Sequence, residues 1–237
     1  MGIDPNRILY EDNHYIAINK LPSDIVQADK TGDTPLLVSI RELIKHRDAK
    51  PGNVFLEAVH RIDRPVSGVV LFAKTSKGLS RMNKLFHDGN INKVYWAVVG
   101  KIPPEPSGTL THYLVRNSDK NKSFAYSLPK ANAKEAKLTY RTIGSTGKYF
   151  FLEIDLHTGR HHQIRAQLSK IGLSIRGDLK YGAPRSNPDG GIHLHAVSLS
   201  FIHPVSGEEI KIIAPTPKDS LWDAFNDTVK NEPSNLH

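Results

Sequence analysis

The chain has 237 residues, enough for one large domain or two small ones, and no cysteine, which excludes disulfides and thiolate metal sites. With 38% hydrophobic and 24% charged residues, it has no apolar run long enough to span a bilayer, and the polar first seven residues carry no secretory signal, so a cytoplasmic protein is expected. Lys and Arg outnumber Asp and Glu by 32 to 24, a net charge of +8, which favours a polyanionic partner because these side chains release counterions from a phosphate backbone.

Ile16 and Ile18 alternate with small or polar residues, as in a half-buried strand, after a turn at Asp12-Asn13. Thr34-Pro35 predicts a helix start, with Leu36, Ile40 and Leu43 at helical spacing, and residues 46–53 read as a polar loop. The continuous apolar run 69–73 predicts a buried strand, and Ser76 a helix cap ahead of Leu79, Met82, Leu85 and Phe86. Strands follow at 94–99 and at Phe150, Leu152, Ile154 and Leu156, then a helix through Ile164, Leu168 and Ile171. Val197, Leu199 and Phe201 alternate again, 210–214 reads as the last strand, 219–225 as a short helix, and the polar end 231–237 as frayed. Strands outnumber helices without strict alternation, so the expected fold class is α+β, one domain with a mixed, largely antiparallel central sheet flanked by helices and loops.

Two segments stand out for chemistry. His60-Arg61-Ile62-Asp63-Arg64-Pro65-Val66-Ser67-Gly68 is a charged knot before the apolar strand; in an extended chain Arg61 and Asp63 share a face, Pro65 restricts Arg64, and Gly68 permits close backbone approach. The bland reading is an Asp tied by surface salt bridges to its two arginines. In Leu156-His157-Thr158-Gly159-Arg160-His161-His162-Gln163-Ile164-Arg165 a strand turns into a helix start, which suits phosphate, and His161 and Arg165 at i, i+4 share a helical face opposite Ile164 and Leu168. Tyr95, in Lys93-Val94-Tyr95-Trp96-Ala97, offers a ring to a base, although an aromatic in a strand is usually core. His193 and His195, at i, i+2 in a strand-like stretch, could share a metal, but such short patterns recur by accident. Residues 116–137 are basic, with Phe124 and Tyr126 among the lysines, and fit either an RNA-facing patch or a solvated loop.

In order, these segments resemble the RluA-type family of pseudouridine synthases. The stretch from His60 to Gly68 is similar to that family's His-Arg-Leu-Asp-x-x-Thr-Ser-Gly, the segment from Lys93 to Ala97 to its Lys-x-Tyr-x-Ala, and Thr158 to Arg165 to its Thr-Gly-Arg-x-His-Gln-Ile-Arg. Gly177-Asp178, Tyr181-Gly182, Leu194-His195-Ala196 and His203-Pro204 continue the likeness, which spans roughly residues 8–215. Ile62, Val66, His161 and Gln167 depart from the pattern; Val66 lacks a hydroxyl beside the turn, and His161 and Gln167 alter the surface near the second motif.

The resemblance implies a mixed sheet with a central cleft and the conversion of uridine in rRNA or tRNA to its C5-linked isomer, with no cofactor and no metal. It implies Asp63 as the catalytic aspartate, Tyr95 as the residue contacting the target base, and Arg165 as the arginine paired with the aspartate. Arg61, Arg64, Arg160, His161 and Gln163 are expected to bind substrate. A membrane partner is not expected, the default state is a monomer, and no S4-type RNA-binding module is expected ahead of Ile8. The rival from another class is a non-catalytic RNA-binding or assembly protein on the same fold, against which stands the retention of Asp63, Tyr95 and Arg165 together. A metal-dependent phosphoesterase would need clustered carboxylates, which the sequence does not offer.

Overall fold

A computed structural model describes residues 3–28 and 32–231. The elements run β1 (Ile8–Glu11), β2 (Tyr15–Lys20), α1 (Leu36–Arg47), β3 (Glu57–Ala58), β4 (Ser67–Ala73), α2 (Ser76–His87), β5 (Ile91–Val99), β6 (Ser107–Asn117), β7 (Lys122–Tyr126), β8 (Lys134–Ser145), β9 (Phe150–Leu156), α3 (Gln163–Lys170), β10 (Leu194–Ile202), β11 (Glu209–Ile213) and α4 (Ser220–Asn231). The class is α+β, as expected. Contacts gather residues up to 92 together with 196–215 into one unit, and 93–195 together with 216 onward into a second.

In the first unit β1, β2, β4 and β10 are neighbours in that order, and β1–β2, β2–β4, β3–β4 and β10–β11 pair antiparallel. Asp12 makes the first turn by accepting the N–H groups of His14 and Tyr15 at 2.7 and 2.6 Å. Alternation then splits the sheet into two buried faces. Ile16, Ile18, Val70 and Phe72 pack with Ile40 and Ile44 of α1, whereas Ala17, Val69 and Leu71 pack with Met82 of α2. Helices on both faces explain the continuous apolar run in β4, and they bury β2 on both sides where a half-buried strand was expected.

Two helix starts differ from expectation. The residue before α1 is Pro35, not Thr34, and it has no capping side chain. The carbonyls of Ile25 and Val26 take its place, accepting the N–H groups of Leu36 and Leu37 at 2.8 and 3.4 Å. The cap of α2 is Thr75, whose Oγ1 accepts the Gly78 N–H at 3.0 Å, with Ser76 already helical. Helix α1 also runs to Arg47, into the stretch expected to be a loop.

In the second unit the order is β5, β9, β8, β6, β7, each neighbour antiparallel to the next. The stretch 116–137 is therefore not a loop: it holds the end of β6, all of β7 and the start of β8. Helix α4 is longer than expected, starting under Asp219, which accepts the Leu221 N–H at 2.9 Å. Its Phe225 stacks on Trp96 at 4.6 Å and lies 4.9 Å from Phe151. The fraying expected at the C-terminus falls, beyond residue 231, outside the described residues. No helix among the described residues is long and apolar enough to cross a membrane.

Candidate active site

Asp63 belongs to the first unit, between β3 and β4, and Tyr95, Arg160, His161, Gln163 and Arg165 belong to the second. Residues 59–66 form no regular strand, so strict alternation does not apply there. Arg61 and Arg64 are exposed and Asp63 is half-buried. The Asp63 carbonyl accepts the Val66 N–H at 3.0 Å, closing a turn across Arg64-Pro65. Arg64 pairs with Asp33 at 2.5 Å on the surface. His60 anchors the approach to the turn: its Nε2 accepts the Leu71 N–H at 3.1 Å, and its ring stacks on Phe86 at 5.2 Å.

The sequence reading missed Lys20, which holds this turn from within. Its side chain is fully buried, and its ammonium donates to the carbonyls of Leu21, Arg64 and Val66 at 3.0, 2.9 and 2.7 Å. Burial pushes its pKa down to about 7, opposed by the carboxylates of Asp24 and Asp63. A signal was available: Ile16, Ile18 and Lys20 share one parity in a buried strand, so the third must also face inward. Gly68 fixes the other end of the turn. Its φ is +117°, and a Cβ there would stand 2.2 Å from the Ala196 carbonyl oxygen, so only glycine lets β4 run this close to β10.

In the second unit the register joins Tyr95 to Ile154 and Ile154 to Tyr140, which places these three on one face of the sheet. Ala136 lies on that same face and packs with Ala166 of α3, so Tyr95 and α3 share it. Tyr95 is only 9% exposed.

The start of α3 differs from expectation. The helix begins at Gln163, and His162 before it has φ of +53°, so His161 lies outside the helix and shares no helical face with Arg165. Nor is there a solvated face, because every residue from 163 to 168 is buried. Gln163 ties its own entry by accepting the Thr158 hydroxyl at 2.7 Å and the Arg160 N–H at 3.0 Å. Arg160 donates from Nε to the Glu135 carbonyl at 3.0 Å. His161 sits 2.9 Å from the Ser123 hydroxyl and 3.2 Å from the Asn121 side-chain oxygen Oδ1, which joins the β6–β7 turn to this segment. Gln167 is fully buried, donating to the carbonyls of Leu110 and Ala136, so it does not alter a surface.

Arg165 is held within the second unit by Asp178, to which Nε and Nη2 donate at 2.7 and 2.9 Å. The two side chains are 5% and 1% exposed, and the guanidinium lies 5.0 Å from the centre of the Tyr181 ring. A bidentate, desolvated pair of this kind fixes the direction of a cation as well as its charge. His193 uses both ring nitrogens, one at 3.0 Å from Asn187 Nδ2 and the other at 2.9 Å from Asp219. Among the described residues no group of three or more His, Cys, Asp or Glu side chains is arranged to hold a metal ion.

The family model for RNA pseudouridylate synthase matches residues 14–170. The chain is 33% identical over 218 residues to an uncharacterized RNA pseudouridine synthase of Synechocystis sp., covering 90% of this chain and 66% of that protein. It is 31% identical over 227 residues to ribosomal large subunit pseudouridine synthase D of Zymomonas mobilis, covering 91% of this chain and 70% of that protein. The chain thus spans 66–70% of the length of these two relatives. Among solved structures it matches human RNA pseudouridylate synthase domain containing 4 with a TM-score of 0.77 at 23% identity, over 97% of this chain and 95% of that one, which is a likeness of fold.

Proposed function

The chain belongs to the RNA pseudouridylate synthase family, and on that premise we propose that it isomerises specific uridines of RNA to pseudouridine with Asp63 as the catalytic carboxylate. The observation that carries this reading is the Lys20 clamp. A fully buried ammonium bound to the carbonyls of Arg64 and Val66 holds a turn whose remaining charged member, Asp63, is half-buried. A buried lysine is a costly way to hold a surface loop, and it suits a carboxylate whose position matters.

In the proposed reaction the target uridine leaves the base stack to reach the carboxylate. The bond from ribose C1′ to uracil N1 breaks, the base turns, C5 joins C1′, and the C5 proton leaves. The change is an isomerisation, neither redox nor hydrolytic, so its chemistry calls for no cofactor. Asp63 acts ionised, attacking C1′ or taking the C2′ proton. Tyr95 stacks on the extruded base. Arg165, with Asp178 holding its guanidinium, is the arginine that serves the aspartate. Arg61, Arg64, Arg160 and His161 contact the flanking RNA, and Gln163, buried and bonded to Thr158, Arg160 and Lys137, acts by holding the Arg160 segment in place. The substrate is an rRNA or a tRNA, and the name of the Zymomonas mobilis relative favours large-subunit ribosomal RNA.

The test is tritium release from RNA labelled at uridine C5, offered as rRNA and tRNA to the wild type and to Asp63→Asn. Release by the wild type alone is expected. Tight RNA binding without release from either pool would leave an RNA-binding protein on the same fold.

A further inference from the structure

The exposed face of the β6–β7 hairpin is not used by the proposed reaction. Directly paired residues share a face, so Tyr113 with Tyr126, Val115 with Phe124, and Asn117 with Lys122 lie on one side. Leu114 with Ala125 lies on the other, packed against Ala166 and Tyr181. The inner side is pinned where the Ser123 N–H donates to the Tyr181 hydroxyl at 2.8 Å and that hydroxyl donates to the Ser123 carbonyl at 3.1 Å. The outer side is thus a fixed surface, opposite the face that carries α3.

Its chemistry is aromatic and cationic. Phe124 is 36% exposed, unusual for a phenylalanine in a strand. Lys130 Nζ lies 4.4 Å from the ring centre of Tyr126, whereas Lys122 Nζ, 5.7 Å from that of Phe124, donates to the Lys180 carbonyl at 2.6 Å and lies 4.8 Å from the Tyr181 ring of the inner side. Lys137 extends the face through its pairing with Thr111, and Glu135, opposite Tyr113, is a carboxylate on it. Phe124 and Tyr126 are alternate residues, about 7 Å apart along a strand, which leaves room for one base on each.

We propose that this face is a stacking platform for unpaired nucleotides of the RNA, with Phe124 and Tyr126 each taking a base and Lys130 meeting the phosphates. The platform rests on the reading of the chain as an RNA-modifying protein. Unpaired bases are the fitting ligand because a duplex hides its π-faces, whereas rings flanked by lysines suit a single strand of any sequence. An ammonium resting on an exposed ring is held more weakly than a stacked base, so the flexible lysine yields the ring and turns to the phosphate.

The test is fluorescence anisotropy with a short fluorescein-labelled oligoadenylate, which carries no uridine and so cannot report on the catalytic centre. Phe124→Ala and Tyr126→Ala are each expected to weaken binding by about five-fold or more. Phe124→Trp retains binding, and Thr109→Ala, on the same side near the far end of β6, binds as the wild type does. No binding by the wild type, or binding that none of the ring substitutions changes, overturns the platform. Ring-dependent binding by a wild type that releases no tritium from C5-labelled RNA would keep the platform and remove the synthase reading instead.

Discussion

The Lys20 ammonium donates to the Val66 carbonyl at 2.7 Å, three residues beyond Asp63. It also holds the carbonyls of Leu21 and Arg64, so one buried side chain ties the end of β2 to the turn that carries the candidate carboxylate. Lys20→Met fills similar space but leaves these acceptors without their donor. The expected loss is about 1–3 kcal/mol in urea unfolding, because removing the buried charge offsets part of the unmade hydrogen bonds. Turnover is expected to fall on the order of ten-fold or more as Asp63 loses its fixed place.

The same residue gives the pH dependence a definite sign. Its folded pKa of about 7 lies below the ordinary lysine value of 10.5. Between these values the unfolded chain binds the extra proton, so stability attributable to Lys20 rises with pH through that window. The deficit of Lys20→Met relative to the wild type should therefore widen from pH 7 towards pH 10. Paired urea titrations across that range check it, and a deficit that stays flat or narrows would contradict the assigned burial effect.

Gly68→Ala meets two obstacles at once. The φ of +117° strains any residue with a Cβ, and that Cβ would stand 2.2 Å from a backbone oxygen that no side-chain rotation can relieve. A loss of about 2–4 kcal/mol is expected. Equilibrium unfolding of the variant beside the wild type measures it, and a change below about 0.5 kcal/mol would mean that β4 and β10 separate at little cost.

Where burial followed parity, the sequence disclosed the fold. Ile16, Ile18 and the run 69–73 mark β2 and β4 because both faces of these strands are packed. Strands β6 to β8 escaped because their outer face mixes Lys, Thr and Glu with Tyr113, Val115, Phe124 and Tyr126, while their inner face sets Ala125, Ala136 and His112 among Leu110, Leu114 and Leu138, so the alternation has little hydrophobic contrast. The two motifs were readable, yet the atoms that fix them were not. Lys20 is remote in sequence from Asp63, and Asp178 is 13 residues from Arg165. Pairings at such distances are set by the fold, not by local spacing. Gln167 reads as a surface departure because a helix is expected to keep one solvated side, whereas residues 163–168 of α3 are all buried; His161 lies outside that helix and is half-buried.

Arg61 and Arg160 are exposed cations, and their expected part is with phosphate. Arg61→Ala and Arg160→Ala should each lower the slope of log affinity against log salt by about one, with little change in which RNA is preferred. Filter binding of one RNA across a salt series checks this. An unchanged slope in both variants would place their contacts elsewhere.

Asp178 is the last point of leverage, because it sits beneath Arg165 rather than at the chemistry. With both side chains at most 5% exposed, Asp178→Asn takes the bidentate carboxylate away from a buried guanidinium. The expected cost is about 3–5 kcal/mol in urea unfolding. Arg165→Lys should fail as well, since an ammonium cannot reproduce two parallel bonds from a planar fork. If Arg165 acts by presenting its charge in a fixed direction, both variants should lose turnover in the tritium-release assay under conditions where circular dichroism shows them folded. Folded variants with wild-type turnover would make the Arg165–Asp178 pair a matter of architecture alone.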